Sequence, residues 1–214
     1  MHEHAGDTPE SPEPERSATT EHVLRPADTL FTRLQQQSAL LAAAEALAGS
    51  SDDAVRRWGR LVHDYALISD RVVSVHGDAE EAVLGWLKPR GVVALLVTED
   101  CVDDHAVEHL AAALGAMNAV TLTVDGERSD RLAPLTSTLE RLLPSAFAEL
   151  RIDAEARYPV GATAAVLTRQ HLYRAWTPPL TLDAPTGGDV RDDDERLALL
   201  TLYGRVRQLD VRPE

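Results

Sequence analysis

The densest grouping of reactive side chains in the sequence lies between residues 98 and 109. Cys101, His105 and His109 run as C-x3-H-x3-H into an apolar periodic segment, with Asp103 and Asp104 beside them. Thiolate, imidazole and carboxylate are transition-metal ligands, and side chains four apart on a helix share a face. The pattern nonetheless differs from H-E-x-x-H. His105 and His109 also fall off the stripe formed by Val107, Leu110, Ala111 and Leu114, where solvated histidines are ordinary. The expectation is no metal, with Cys101, His105 and His109 as the residues that would hold one. A nucleophilic role for Cys101 would need a lowered pKa, and the surrounding carboxylates raise it instead. The pair His2 and His4 lacks a packed shell, no Ser or His stands in a G-x-S-x-G context, and His76-Gly77-Asp78 reads as a turn and cap before a helix-like stretch.

The same segment is where a nucleotide would be sought. Phosphate loops place glycines between a strand and a helix, so that backbone amides approach the anion at the helix N-terminus. Here Thr98-Glu99-Asp100-Cys101-Val102-Asp103-Asp104 has no glycine and four carboxylates. Each carboxylate would repel a pyrophosphate by about 1 to 4 kcal/mol, depending on the effective dielectric. Phosphate binding at this strand end is disfavoured.

These residues are set in a recognisable order of elements. Gly91 to Val97 is a continuous apolar run with β-branched residues, as in a parallel strand covered on both faces. A helix over Asp103 to Met117 and a second strand over Ala119 to Val124 complete a βαβ unit with a right-handed crossover. Another amphipathic helix spans Asp130 to Leu143, with Leu132, Leu135, Leu139 and Leu142 inward, and Leu150 to Asp153 and Ala164 to Thr168 supply further strands.

Upstream, Leu30, Leu34, Leu41 and Leu47 mark one helix, capped by Asp28 and ended by Gly49. Val55, Trp58, Leu61, Val62 and Tyr65 mark a second, capped by Ser51 or Asp52, with Arg56, Arg57 and Arg60 on its solvated side. Both are expected to pack on the sheet. Residues 183 to 195, with six acids and Gly187-Gly188, read as an exposed loop. A final helix from Asp194 to Leu209 carries Leu197, Leu200, Tyr203 and Val206, a stripe that docks on its own core or on a partner.

Composition sets the outer limits. The chain has 214 residues, 35 acidic against 21 basic side chains, and one cysteine. A net charge of -14 opposes nucleic acid and anionic membranes, because phosphates are repelled rather than neutralised. With a single thiol there is no internal disulfide, and no apolar run reaches the roughly 20 residues of a membrane span. A cytoplasmic protein is expected. Residues 1 to 26 hold four prolines, six acids and almost no large apolar side chain, which reads as a disordered tail before a domain over residues 27 to 214. The class is α/β.

One stretch also resembles a known family. Pro89-Arg90-Gly91-Val92-Val93, followed by Ala111-Ala112-Ala113-Leu114-Gly115-Ala116-Met117-Asn118-Ala119-Val120, resembles the start of the cofactor domain of the aldehyde dehydrogenase superfamily. There the pattern is P-x-G-V-V, a P-W-N loop, then A-L-x-x-G-N-x-V-V-L-K-P. The two align from Pro89 to Glu127, under a fifth of the chain. The resemblance implies a Rossmann-like parallel sheet flanked by helices. It also places the family's oxyanion-holding asparagine at Asp100, its cofactor-binding lysine at Thr123, and the proline and tryptophan of P-W-N at Thr98 and Glu99. Thr98, Asp100 and Thr123 are therefore the cofactor positions to test, and no cysteine stands where the family's nucleophile would be. The pattern is most similar to the degenerate aldehyde-dehydrogenase-like domains at the C-terminal end of long bifunctional proline-utilisation enzymes. That resemblance implies a non-catalytic module that self-associates or packs on a larger partner enzyme, with no cofactor. The alternatives are an NAD(P)-binding half of a split aldehyde oxidoreductase and a small metal- or ligand-binding α/β protein.

Overall fold

The structure, a computed structural model, describes residues 23–69, 73–75, 82–152, 158–182 and 191–211. The apolar runs form the strands that their composition demands. β1 (Val73–Val75) and β2 (Ala82–Pro89) precede β3 (Val92–Val97), and α3 (Asp103–Gly115) links β3 to β4 (Ala119–Val124). α1 (Leu30–Ala48) and α2 (Asp53–Ile68) come before them. α4 (Gly126–Leu142), β5 (Phe147–Arg151), β6 (Thr163–Leu167), β7 (His171–Arg174), β8 (Thr177–Thr181), α5 (Asp193–Tyr203) and β9 (Gly204–Val211) follow. A six-stranded sheet has the order β5-β4-β3-β6-β7-β8, and a three-stranded sheet the order β1-β2-β9.

β3 and β4 pair in parallel with Leu95 opposite Leu122, and β6 and β5 extend the parallel set on either side. This is the expected α/β architecture of helices against a parallel sheet. The sheet is mixed, since β7 and β8 add to it antiparallel. Val93, Leu95, Val97, Val120, Leu122 and Val124 are all fully buried, the position of residues whose apolar surface stabilises by about 25 cal/mol per Å² removed from water.

α1 and α2 were expected on the sheet. They stack instead on α3 and α4, as a second helical layer. α3 is consequently enclosed on all sides, and of its residues only Asp104 reaches appreciable solvent. Thr29 caps α1 through a capping box in place of Asp28, Asp52 caps α2, and Asp125 caps α4. The inward face of α1 is Gln36, Leu40, Ala43, Ala44 and Leu47, whereas Leu30 and Leu34 of the anticipated stripe are exposed. An alanine-rich face lets α1 approach closely, and the leucines of its first turns are left outside that contact.

Two expectations for strands and helices are corrected. The stretch before Pro89 read as helix-like, but residues 82–89 form β2; His76, Gly77 and Asp78 lie outside the described residues. The last helix stops at Tyr203, and β9 begins at Gly204 and pairs antiparallel with all of β2. A Cβ on Gly204 would meet Leu87 Cδ2 at 2.2 Å, so a larger residue there must displace the Leu87 side chain. Gly91, with φ +127, makes the turn from β2 into β3.

The composition of residues 1 to 26 predicts a disordered tail. Residues 1–22 lie outside the described residues, and Leu24 and Ala27 are buried. The Arg25 amide donates to the Ser145 carbonyl at 2.7 Å and the Ala27 amide to Met117 at 3.0 Å, so the described chain joins the core from Leu24 onward. Among the described residues, no helix is long and apolar enough to cross a membrane.

Candidate functional site

The segment from Thr98 to Asp104 crosses from the end of β3 into α3, and the structure closes it from the inside. Arg128, at the third position of α4, is 2% exposed. Its Nη1 donates to the Thr98 carbonyl at 2.7 Å, its Nη2 to the carbonyls of Glu99 and Cys101, and its Nε to Asp103 at 2.9 Å. One buried guanidinium thus satisfies three loop carbonyls and a carboxylate, and it carries a charge opposite to that of the loop's carboxylates. Asp103 is shared with the more exposed Arg131, at 2.7 Å. Burial alone would raise the Asp103 carboxyl, but the two arginines outweigh it and hold the pKa below the usual carboxylate range. Asp104 turns the other way, accepting from the Trp58 indole at 2.7 Å and from Arg57.

Of the cofactor candidates, Thr98 and Asp100 come together. The Thr98 hydroxyl donates to the Asp100 carboxylate, which lowers the Asp100 pKa, and also lies 3.1 Å from the Leu167 carbonyl. Thr123 hydrogen-bonds to neither; it is buried within β4 with its hydroxyl unpartnered. Cys101 is buried and reduced, and its thiol is pushed up to about 11, mainly by burial and only then by Asp100 and Asp103 against the opposing charge of Arg128.

His105 and His109 were expected on the solvated side of α3. They are 2% and 0% exposed, because α5 and α2 cover the side that faces away from the sheet. A helix covered on one side only would have left them in water. Their Nε2 atoms lie 2.9 Å apart, and His109 Nδ1 lies 2.7 Å from the Tyr203 hydroxyl. If Tyr203 donates to His109, then His109 donates to His105, whose Nδ1 carries the remaining proton and is buried without a partner. Burial, reinforced at His109 by the neighbouring His105, lowers both pKa values and keeps the pair neutral. Beside them Glu108 accepts from the Tyr65 hydroxyl at 3.1 Å and from Arg191 at 2.7 Å. Cys101, His105 and His109 do not converge with further ligands: among the described residues no three His, Cys, Asp or Glu side chains are grouped to hold a metal ion.

The residue that organises this crossing, Arg128, was not singled out by its type or neighbours. The signal was present in its phase, since Arg128 precedes Leu132, Leu135 and Leu139 at i, i+4, i+7 and i+11 on the stripe that α4 buries.

No family model and no curated protein matches the chain. Solved structures do. Proline utilization A from Bdellovibrio bacteriovorus, inactivated by N-propargylglycine, is 17% identical over 57% of this chain and 15% of its own, with a TM-score of 0.43. A mutant of the Bradyrhizobium japonicum proline utilization A is 16% identical over 64% of this chain and 20% of its own, at 0.44. PnpE in complex with nicotinamide adenine dinucleotide is 15% identical over 58% of this chain and 30% of its own, also at 0.44. A putative aldehyde dehydrogenase from Burkholderia cenocepacia is 13% identical over 56% of this chain and 29% of its own, at 0.43, and the chain spans less than a third of the length of each of these structures.

Proposed function

We propose that this chain is a non-catalytic, aldehyde-dehydrogenase-like module that works by docking, either on a second copy or on a larger enzyme that it stabilises. Following the sequence resemblance, the partner class is a long proline-utilisation enzyme. The observation that carries the reading is the Arg128 plug. The loop between β3 and α3, where a dinucleotide would lay its phosphates, has its carbonyls tied inward, carboxylates at Glu99, Asp100, Asp103 and Asp104, and a protonated buried thiol at Cys101. An anion meets repulsion there, and an acyl carbon meets no thiolate. The positions matching the family's asparagine and lysine hold Asp100 and Thr123, which supply neither the oxyanion donor nor the cation that such chemistry uses.

The purified chain is expected to form no NADH from aldehydes, to bind neither NAD nor NADP at the Thr98–Asp104 loop, so that no calorimetric heat with them changes when that loop is substituted, and to run as more than a monomer or to capture a proline-utilisation enzyme from its native lysate. Aldehyde-dependent NADH formation would sink the proposal. Binding of NAD(P) at that loop without turnover would favour the split-enzyme alternative. A strictly monomeric mass in light scattering, together with no capture of that enzyme, would remove the docking role.

A further inference from the structure

Five cations of this acidic chain gather at one place. Lys88, its single lysine, stands opposite Arg205 in the β2–β9 ladder, and Arg207 lies two residues further along β9. Arg90 follows β2 in the turn to β3, and its guanidinium carbon lies 4.7 Å from the centre of the Trp176 ring. Arg174 arrives from the end of β7 and donates through Nη1 to the Leu202 carbonyl at 3.3 Å, two residues before β9 begins. Asn118 ties the same corner together, accepting from the amides of Arg90 and Gly91 and donating to the carbonyls of Ala113 and Tyr203. Arg90, Arg174 and Arg205 are thereby brought to the junction of α5 and β9, at the N-terminal edge of the parallel strands.

Among the described residues none of these five cations has a carboxylate partner, whereas Arg128, Arg131 and Arg151 at the opposite edge each pair with an aspartate. Arg90 Nε, Arg174 Nε and Trp176 Nε1 are buried without a hydrogen-bond partner, and all three are donors. A solvated basic face would leave its guanidinium groups to water. Here Arg90 and Arg174 are partly withdrawn from it with buried donors left unpaired, an arrangement that is unfavourable until an acceptor arrives. Burial, and after it the charges of Arg205 and Arg174, disfavour the charged form of Arg90.

The geometry points to a binding site for a small oxyanion with at least two negative charges, of the phosphate-ester or pyrophosphate class, held among Arg90, Arg174 and Arg205 with Lys88 and Arg207 at the rim. Guanidinium forks match phosphate oxygens in pairs, and the Trp176 ring braces the plane of Arg90 so that less rotamer freedom is lost on binding. The site lies at the end of the sheet away from the acidic crossing, and nothing in it depends on whether the chain docks on a larger enzyme.

Calorimetric titration of the full chain with inorganic pyrophosphate at low ionic strength tests the site. A saturable heat is expected that fades with added salt. R90Q and R205Q should each weaken binding about tenfold or more, the scale of a lost charge-assisted hydrogen bond, while R141Q on exposed α4 leaves it unchanged. Arg205 is exposed, so R205Q remains a valid test if R90Q disturbs the Trp176 packing, and a melting curve of each variant verifies its fold. Citrate, with similar charge on carboxylates, should bind more weakly. The proposal is overturned by no saturable heat up to millimolar pyrophosphate, by equal losses in R141Q and R205Q, by full retention of binding in R205Q, or by citrate binding as tightly as pyrophosphate.

Discussion

At the C-terminal edge of β3 and β4 the chain has Glu99, Asp100, Asp103, Asp104 and Asp125, and it sends the buried Arg128 into their midst. At the N-terminal edge of the same strands it has Arg90, Arg174 and Arg205, and no carboxylate meets them among the described residues; a neutral amide, Asn118, does the tying. Both corners bind loops to helices through one fully buried polar side chain. They differ in charge closure. The first corner is neutralised by the protein itself and is therefore finished as structure, while the second keeps a net positive charge in a chain of net charge -14. Open strand ends in α/β folds ordinarily bind ligands at the C-terminal edge. In this chain the electrostatics favour the other one.

The comparison breaks most severely if Arg128 is removed. Arg128→Ala would leave three loop carbonyls and the part-buried Asp103 without their fully buried partner, and breaking a buried ion pair costs about 3–5 kcal/mol. For a domain of this size that is a fall of roughly 10 °C or more in Tm, measured by calorimetry or circular dichroism. A change of only a degree or two would mean that the acidic crossing does not rely on its plug. Asn118→Ala should follow, at about 2–3 kcal/mol, since two amides and two carbonyls lose their partner together. Its effect should extend to the other edge's chemistry: pyrophosphate binding should weaken, because Arg90 and the α5–β9 junction lose their common anchor. Arg128→Ala, if it folds, should leave that binding intact.

Acid separates the core histidines from both edges. His105 and His109 have folded pKa values below the unfolded 6.5. The unfolded chain therefore binds more protons than the folded one as pH falls through that value, and stability present above pH 6.5 is lost below it. The groups facing the pair are Tyr203, Glu108, Arg174 and Arg191; the two arginines reinforce the downward shift, and Glu108 partly opposes it at His105. Melting temperature should fall between pH 7 and pH 5, and His109→Gln should flatten that slope. Asp103 titrates below this window, with its pKa already lowered, so it does not contribute to the loss. An unchanged slope in the variant would show that the pair is not the acid-sensitive element.

How much of this was legible depends on what each residue type can reveal. β3 and β4 could be read because a run such as Val92 to Val97 has one physical use, a strand buried on both faces. The stripe of α3 was readable as well, but it implied a helix with one wet side, and so His105 and His109 were placed in water. A histidine is equally at home in either setting, and only the α2 and α5 layer decides. β9 was misread because Leu200, Tyr203 and Val206 keep a helical spacing across Gly204. The glycine was the available signal, and the reason for it, the contact with Leu87 on β2, lies more than a hundred residues away in sequence. The basic corner was illegible for the same reason: Arg90, Arg174 and Arg205 come from three distant segments that only the topology joins.

The smallest effect sharpens the contrast within the acidic corner itself. Arg128 and Arg131 both hold Asp103, at 2.9 and 2.7 Å, but the Arg128 side chain is 2% exposed and that of Arg131 49%. Distance alone would rank Arg131 first. Water decides otherwise, because an exposed guanidinium exchanges one hydrated partner for another and must give up side-chain freedom to do so, leaving less than about 1 kcal/mol. Arg131→Gln should therefore shift Tm by only a degree or two, and the shift should shrink further in 0.5 M salt, an ionic strength at which screening acts over roughly 4 Å. A double-mutant cycle of Arg131→Gln with Asp103→Asn gives the coupling directly. A value of 2 kcal/mol or more would mean that the two arginines act as one buried network with Asp103, and that the plug extends to the surface of α4.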